Sequence, residues 1–274
     1  MLGFPVAKQL KHDRFEVDIL TTNPQKAEER LGTGYNFIQG DVRDRAGLHK
    51  ILPNYDGLHI NLNSGSYKEL HTIEVEGSRN IAESLPGSGV KKITLISGLG
   101  VKLDNIHIPF IKAKLEVENV IKETGLPYTI FNCTHFMESI PLYIRNGKAM
   151  IIGKQQHKIH WLSAVDYAWM VSQAFENKES DFKNYEVTGP EALTMKEAFE
   201  LYVEKKDPGI KVTRVSLGML GFIARVSFNS KLKFLVDLMG YFDSTPEHYD
   251  PNHAPHILGK AETTLQDWLD QGQQ

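Results

Sequence analysis

ITLISGLGVKLDNIHIPFIKAKLEVE, residues 93–118, is the stretch whose reading decides the rest of the chain. It opens on a short apolar run rich in β-branched residues, Ile93 to Ile96, the pattern of a buried strand. Ser97-Gly98-Leu99-Gly100 then supplies small residues that let a loop turn sharply off a strand end. A helix is expected from Pro109, a residue suited to a first helical turn. Phe110, Ala113, Val117, Val120 and Ile121 share one helical stripe, and Lys114 lies on it, four residues after Phe110. Lys112, Glu116, Asn119 and Glu123 fall elsewhere and read as solvated. A lysine on an inward stripe either snorkels its ammonium out to water or holds a polar partner inside. The second option aims Lys114 at a ligand bound over the strand ends.

Outward from this unit, strand and helix alternate. Strands are expected at Glu16–Thr21, Tyr35–Ile38, Gly57–Leu62 and Tyr128–Asn132, and helices at 5–12, 25–32, 45–52 and 67–85. Leu70, Ile73, Ile81 and Ala82 are the inward candidates on the last of these. Such alternation implies parallel strands joined by right-handed crossovers, an α/β fold with a doubly wound parallel sheet. Ligands of such sheets sit beyond the carboxyl ends of the strands. The loops there are Thr21-Thr22-Asn23, Gly40-Asp41-Val42, Asn63-Ser64-Gly65, Ser97-Gly98-Leu99 and Cys133-Thr134-His135. Together they suit close approach to a nucleotide, although strand-end loops are small and polar in many proteins.

The second half is less regular. Short strands are expected at 149–152, 158–162, 185–188 and 211–215, and a helix at 165–175. Thr194 with Glu197 three residues on forms a capping-box signature for a helix reaching Lys205. An apolar region, 217–239, is read as helical with a break near Ser227–Ser230, and a short helix is expected at 262–270. Residues 1–189 are thus assigned to a nucleotide-binding sheet domain. Residues 190–274 form a smaller, mostly helical lobe, packed with the first as one unit, that covers the crevice and selects a small-molecule substrate.

Composition narrows the class. The 274 residues suffice for a real core, and a net charge of −3 gives no reason to expect nucleic acid or an anionic membrane as partner. The single cysteine, Cys133, excludes an internal disulfide and fits a reducing, cytoplasmic setting. The first residues lack a secretory pattern. Val215–Gly240 is interrupted by Arg225, Asn229, Lys231 and Lys233, which argues against a membrane span and leaves a pocket wall or a dimer face. His157 and His160 fall on opposite faces of an expected strand, against a shared metal. His248, His253 and His256 read as a polar loop, so no metal site is assigned.

The chain resembles an atypical short-chain dehydrogenase/reductase of the NmrA-like group, which includes quinone and azo reductases and redox-sensing regulators. The resemblance rests on FIQGDVRD (37–44), VEGSRNIAE (75–83), the strand ending at Ser97, FIKAKLEVE (110–118), GLPYTIFNCTHFMES (125–139), VDYA (165–168) and YEVTGPEALTMKE (185–197). It implies a Rossmann-type fold and an NAD(P)-dependent oxidoreductase, monomeric or homodimeric, reducing a small conjugated acceptor such as a quinone or azo compound. The alternative it leaves is a regulator that binds NAD(P) without turnover and acts through a protein partner. It further implies that Asp41 and Val42 flank the adenine, that Asn63, Ser64 and Gly65 lie against the cofactor, and that Lys114 donates to the nicotinamide ribose.

Three departures from that pattern matter. The family's first strand and first phosphate-loop glycines should precede Met1, and only Gly3 matches the last glycine. The expectation is a chain begun at an internal methionine or cut short. Unpaired interior strand edges would then cost about 1–3 kcal/mol per buried group, and dinucleotide affinity would be weak. Second, Phe110 occupies the place of the family's catalytic tyrosine. Ser97 stands near the catalytic serine, and His135, Tyr143 and His107 become the candidate proton donors. Third, Thr21-Thr22-Asn23 carries neither the acidic residue that favours NAD nor an arginine that favours NADP. Lys26 reads as a solvated helix lysine, and the reading leans to NADP because no carboxylate stands there to repel a 2′-phosphate.

Overall fold

The computed structural model, which describes residues 2–271, realises this alternation as parallel strands joined by helices. Helix α1 (Gly3–His12) leads to β1 (Asp18–Thr21), α2 (Pro24–Leu31), β2 (Asn36–Gln39), α3 (Arg45–Ile51) and β3 (Gly57–Ile60). Next come α4 (Tyr67–Glu69), a π-helical turn over Leu70–Val75, and α5 (Glu76–Ser84). They are followed by β4 (Lys92–Gly98), α6 (Pro109–Glu123), β5 (Tyr128–Cys133), β6 (Ile144–Arg145), β7 (Lys148–Ile152) and β8 (Lys158–His160). The rest is α7 (Ala164–Glu176), β9 (Lys183–Val187), β10 (Ala192–Thr194), α8 (Met195–Lys206), β11 (Lys211–Val215), α9 (Leu217–Val226), α10 (Ser230–Ser244) and α11 (Leu265–Gln271).

Strands β3, β4, β5 and β9 form a parallel sheet in that order. Its centre is covered on both faces, as all-parallel strands require. Ile93, Leu95 and Ile130 point to the core under α5 and α6. Ile96, Phe131 and Cys133 point the other way, against α1 and α7. This is the period-two alternation of a strand shared between two cores. Strand β1 pairs with β2 and with no other strand among the described residues. The α/β class and the parallel pairing are as expected. The sheet itself is in two pieces, divided between β1 and β3. Side chains bridge the division: the Tyr55 hydroxyl donates to Asp18 Oδ2 at 2.6 Å, and Leu20, Leu58 and Leu62 pack against the same core cluster. Near β3, His59 Nε2, Asn61 Nδ2 and the Tyr167 hydroxyl are buried without a protein partner.

Helix α6 is turned from its expected stripe. Its buried residues are Ile111, Val117, Glu118 and Ile121, while Phe110 and Val120 are half-buried. Glu118 explains the turn. Its Oε1 accepts from Ser97 Oγ and from Asn132 Nδ2, each at 2.7 Å, and its Oε2 accepts from Asn184 Nδ2 at 3.0 Å. Lys122 adds an ion pair at 3.3 Å. One carboxylate thus ties α6 to β4, β5 and β9. Apolar periodicity carries no sign of these bonds.

The second core joins Met137, Ile140, Ile151, Ile159 and Trp161 to Met195, Phe199, Leu265 and Trp268, so segments from both sides of position 189 pack together. Strand β7 lies between β11, parallel, and β6, antiparallel. The Thr194–Glu197 capping box is present, and the break in the apolar region falls between α9 and α10. No helix among the described residues is long and apolar enough to cross a membrane.

Two predictions follow from these buried groups. Glu118→Ala strands three inward donors and should cost about 3 kcal/mol in urea unfolding; a loss below about 1 kcal/mol would contradict the clamp. Burial lowers both the His59 and His135 imidazoles to about 4 from the ordinary 6.5. Between those values the unfolded chain binds more protons than the folded one, so stability falls as pH drops from 6.5 toward 4. Each histidine contributes up to about 1.4 kcal/mol per pH unit. Replacing both by glutamine should flatten that slope.

Candidate active site

At the carboxyl end of β4 the chain turns through Gly98–Gly100 and enters α6, which brings Phe110, Lys114 and Glu118 onto successive turns. Glu118 lies deepest and holds the Ser97 hydroxyl as its donor. Ser97 is therefore committed to the floor of the crevice. One turn nearer the mouth, the Lys114 ammonium pairs with Glu74 Oε2. Ser64 Oγ donates to the other oxygen, Glu74 Oε1, at 2.5 Å. Two of the expected residues, Ser64 and Lys114, thus meet through a third. The Glu74 side chain is 4% exposed and that of Lys114 27%, so the carboxylate is sealed in and the ammonium reaches the opening.

Glu74 sits on the π-helical turn, whose wider winding inserts an extra residue into the helix, a feature recurrent at functional sites. A sequence signal existed for it: a stripe through Leu70 and Ile81 passes through Glu74, an acid on an inward face. The following Gly77 admits the Val42 side chain, since a Cβ there would lie 2.7 Å from Val42 Cγ2. Asn80 Nδ2 donates to the Val42 carbonyl at 3.0 Å and fixes the loop after β2.

The other strand-end residues are placed as follows. Asp41 accepts from Arg43 Nε at 2.9 Å and from the Arg43 backbone N–H at 2.9 Å, and the Arg43 hydrogen bonds hold its carboxyl below the usual range. Thr21 Oγ1 accepts from the Asn23 N–H at 3.2 Å, Asn23 caps α2 through the Lys26 N–H at 3.0 Å, and Thr22 is exposed. Asn63 and Gly65 are exposed, and the Gly65 N–H donates to Glu69 at 2.9 Å. Gly3 opens α1 beside the end of β3, where a Cβ would stand 3.7 Å from the unpartnered Nδ2 of Asn61. The first N–H groups of α1 and this orphan amide present donors from neighbouring positions, the chemistry that suits a phosphate.

The three proton-donor candidates stand in different surroundings. His135 is half-buried with its Nε2 sealed from solvent, its ring 4.4 Å from that of Phe242 and 5.8 Å from that of Trp161, and at a pKa of about 4 it is neutral at pH 7. The Tyr143 hydroxyl lies 3.8 Å from Met239 Sδ, and burial pushes its pKa up to about 12. His107 is exposed in the loop before α6.

Helix α10 roofs this region, and Tyr241 on it was not foreseen. Its ring meets Phe110 edge to face at 5.4 Å. Its hydroxyl accepts from Asn105 Nδ2 at 3.4 Å and lies 2.7 Å from where Gly100 would carry a Cβ. Burial raises its pKa above the ordinary 10, which keeps the phenol protonated at neutral pH. No local pattern could have paired positions 110 and 241. The helix is held down where Asp237 accepts from the Tyr67 hydroxyl at 2.8 Å and Asp243 from the Lys154 N–H at 2.7 Å. Among the described residues no group of three or more His, Cys, Asp or Glu is placed to hold a metal. A surface groove of about 740 Å³ involves Leu85, Pro86, Val90 and Leu126 at the amino ends of β4 and β5, away from this crevice.

The chain is similar to several known proteins. An azoreductase using NAD(P)H, from Xenophilus azovorans, is 23% identical over 70% of this chain and 66% of its own length. The photosystem II assembly factor Ycf39 of Cyanophora paradoxa is 22% identical over 80% of this chain and 70% of its own. Among solved structures, the NADPH complex of the Escherichia coli quinone oxidoreductase QOR2 superposes with a TM-score of 0.75 at 21% identity, covering 99% of this chain and 96% of that one. The NADP(H) complex of Citrobacter sp. triphenylmethane reductase gives 0.75 at 16% identity, covering 100% and 97%. At these identities the structural likeness establishes the fold. Residues 1–244 match the NmrA-like family model, and the chain is a member of the NmrA-like family.

Proposed function

We propose that the protein is an NAD(P)H-dependent reductase that transfers hydride to a small conjugated acceptor such as a quinone or azo compound. The observation that carries this reading is the Lys114–Glu74–Ser64 cluster at the strand carboxyl ends. The reductases among its relatives support it. The residues present fit a dinucleotide, because the orphan Asn61 amide beside Gly3 offers an unused donor. Gly3 with the α1 amino terminus and Asn61 would hold the pyrophosphate, Asp41 and Val42 the adenine side, and Asn63–Gly65 the cofactor backbone. NADP is favoured over NAD because Thr21-Thr22-Asn23 sets no carboxylate against a 2′-phosphate. The bound dinucleotide supplies the hydride.

The remaining chemistry is done by side chains. An ammonium has three donors; Glu74 takes one of those of Lys114 and fixes its direction, leaving others for ribose hydroxyls. Phe110 has no proton to give. An acceptor that has gained a hydride gathers negative charge and takes up a proton, and Tyr241 donates it from the roof. His135, neutral with a pKa near 4, and Tyr143, held against Met239, are less suited to that step.

The reading is tested by following NADPH and NADH oxidation with quinone and azo acceptors, alongside titration of each cofactor. Absence of turnover with every acceptor despite cofactor binding would refute it. Lys114→Ala should lower kcat/KM about 100-fold. Tyr241→Phe should lower kcat about tenfold or more while leaving NADPH affinity unchanged, and adding Phe110→Tyr should recover part of the loss. Equal rates for the wild-type protein and Tyr241→Phe at every pH would remove the phenol from the mechanism.

A further inference from the structure

Helix α9 turns an apolar stripe to solvent. Leu217, Leu220, Gly221 and Ala224 face inward, where Gly221 lies against Val236 of α10. Met219, Phe222, Ile223 and Val226 repeat at helical spacing on the other side, 52%, 67%, 41% and 57% exposed. At the tip between α9 and α10, Phe228 is 92% exposed and stands at a φ of 51°, a left-handed conformation that bulky residues avoid. Its ring gains no burial there to offset the strain. A helix apolar on both sides, ending in an extended aromatic ring, lacks a cover for its outer face.

Charge identifies what covers it. From Lys211 to Val236 the chain carries five basic side chains, Lys211, Arg214, Arg225, Lys231 and Lys233, and no acidic one. The net charge of −3 conceals this local excess. Lys231 pairs with Glu69 and Lys233 with Asp237, whereas Arg214 and Arg225 have no acidic partner among the described residues. Two copies meeting on this face about a twofold axis would set the same cations against each other. An anionic lipid surface matches both features, taking the aromatic and aliphatic side chains among its acyl chains and the cations at its phosphates.

We propose that the α9–α10 hairpin docks the protein on the surface of an anionic bilayer, with α9 lying in the interface and Phe228 inserted. The same α10 carries Met239, Tyr241 and Phe242 over the crevice, so docking sets the roof of the proposed active site against the membrane. If the reductase reading holds, the acceptor class favoured by this arrangement is a lipophilic quinone drawn from the bilayer. The docking itself does not depend on that reading.

The test is flotation of the intact protein with phosphatidylcholine vesicles, with and without phosphatidylglycerol. The protein should float with the anionic vesicles and remain behind with the neutral ones, and Arg225→Glu should weaken binding about tenfold. Phe222→Ser with Phe228→Ser should abolish flotation while leaving the thermal midpoint and NADPH binding as in the wild type, because both rings are exposed. Failure to float with anionic vesicles would overturn the proposal. So would a dimer in sedimentation velocity that Phe222→Ser dissociates, since the face would then belong to a second copy. Flotation unchanged by the phenylalanine and arginine substitutions would place the contact elsewhere and also refute it.

Discussion

One buried carboxylate sets the geometry on which the crevice depends. Glu118 receives hydrogen bonds from Ser97 on β4, Asn132 on β5 and Asn184 on β9, three neighbouring strands of one parallel sheet. A buried carboxylate is tolerated only where its lone pairs are used, and here three strands supply the donors. The consequence is rotational. Helix α6 has a single orientation that delivers Glu118 to those donors, and that orientation decides which side chains one and two turns earlier reach the opening. Lys114 and Phe110 stand where they do because of it.

The chemistry of the opening follows from what each position can donate. Lys114 is steered by Glu74, and Glu74 is steered in turn by Ser64, so the ammonium is directed before any ligand arrives. Phe110 removes the phenol from helix α6, and Tyr241 brings one back from helix α10 at edge-to-face distance. Helix α9, with its exposed apolar stripe, runs into α10, so that surface and the roof of the crevice lie along one continuous hairpin.

Side chains hold β1 and β2 beside the four-stranded sheet. Strands β1 and β2 contribute the ends that carry Thr21–Asn23 and Asp41–Val42, yet they share no ladder with β3. Their alignment rests on Leu20 in the core under α5, on the Tyr55–Asp18 hydrogen bond and on Val42 seated against Gly77. Side-chain packing there carries what backbone hydrogen bonds carry elsewhere in the sheet. The buried, unpartnered polar atoms of His59 and Asn61 lie along β3 beside the division.

Much of this was legible in the residues. The order of strands and helices, the parallel class, the Thr194–Glu197 cap and the interruption of the apolar region near Ser227 were all determined by the sequence alone, because each follows from local spacing or side-chain chemistry. Lys114 could be singled out for the same reason, as a charge on an apolar stripe. Its partner could not be named, nor could the commitment of Ser97 to Glu118, the contacts of His135 and Tyr143 with α10, or the meeting of Tyr241 with Phe110. Those depend on contacts between residues far apart in the chain, and periodicity reports only which face of an element turns inward, never what waits for it there. The tertiary structure alone decided which polar groups share the crevice, since that is set by how separate elements satisfy one another's hydrogen bonds.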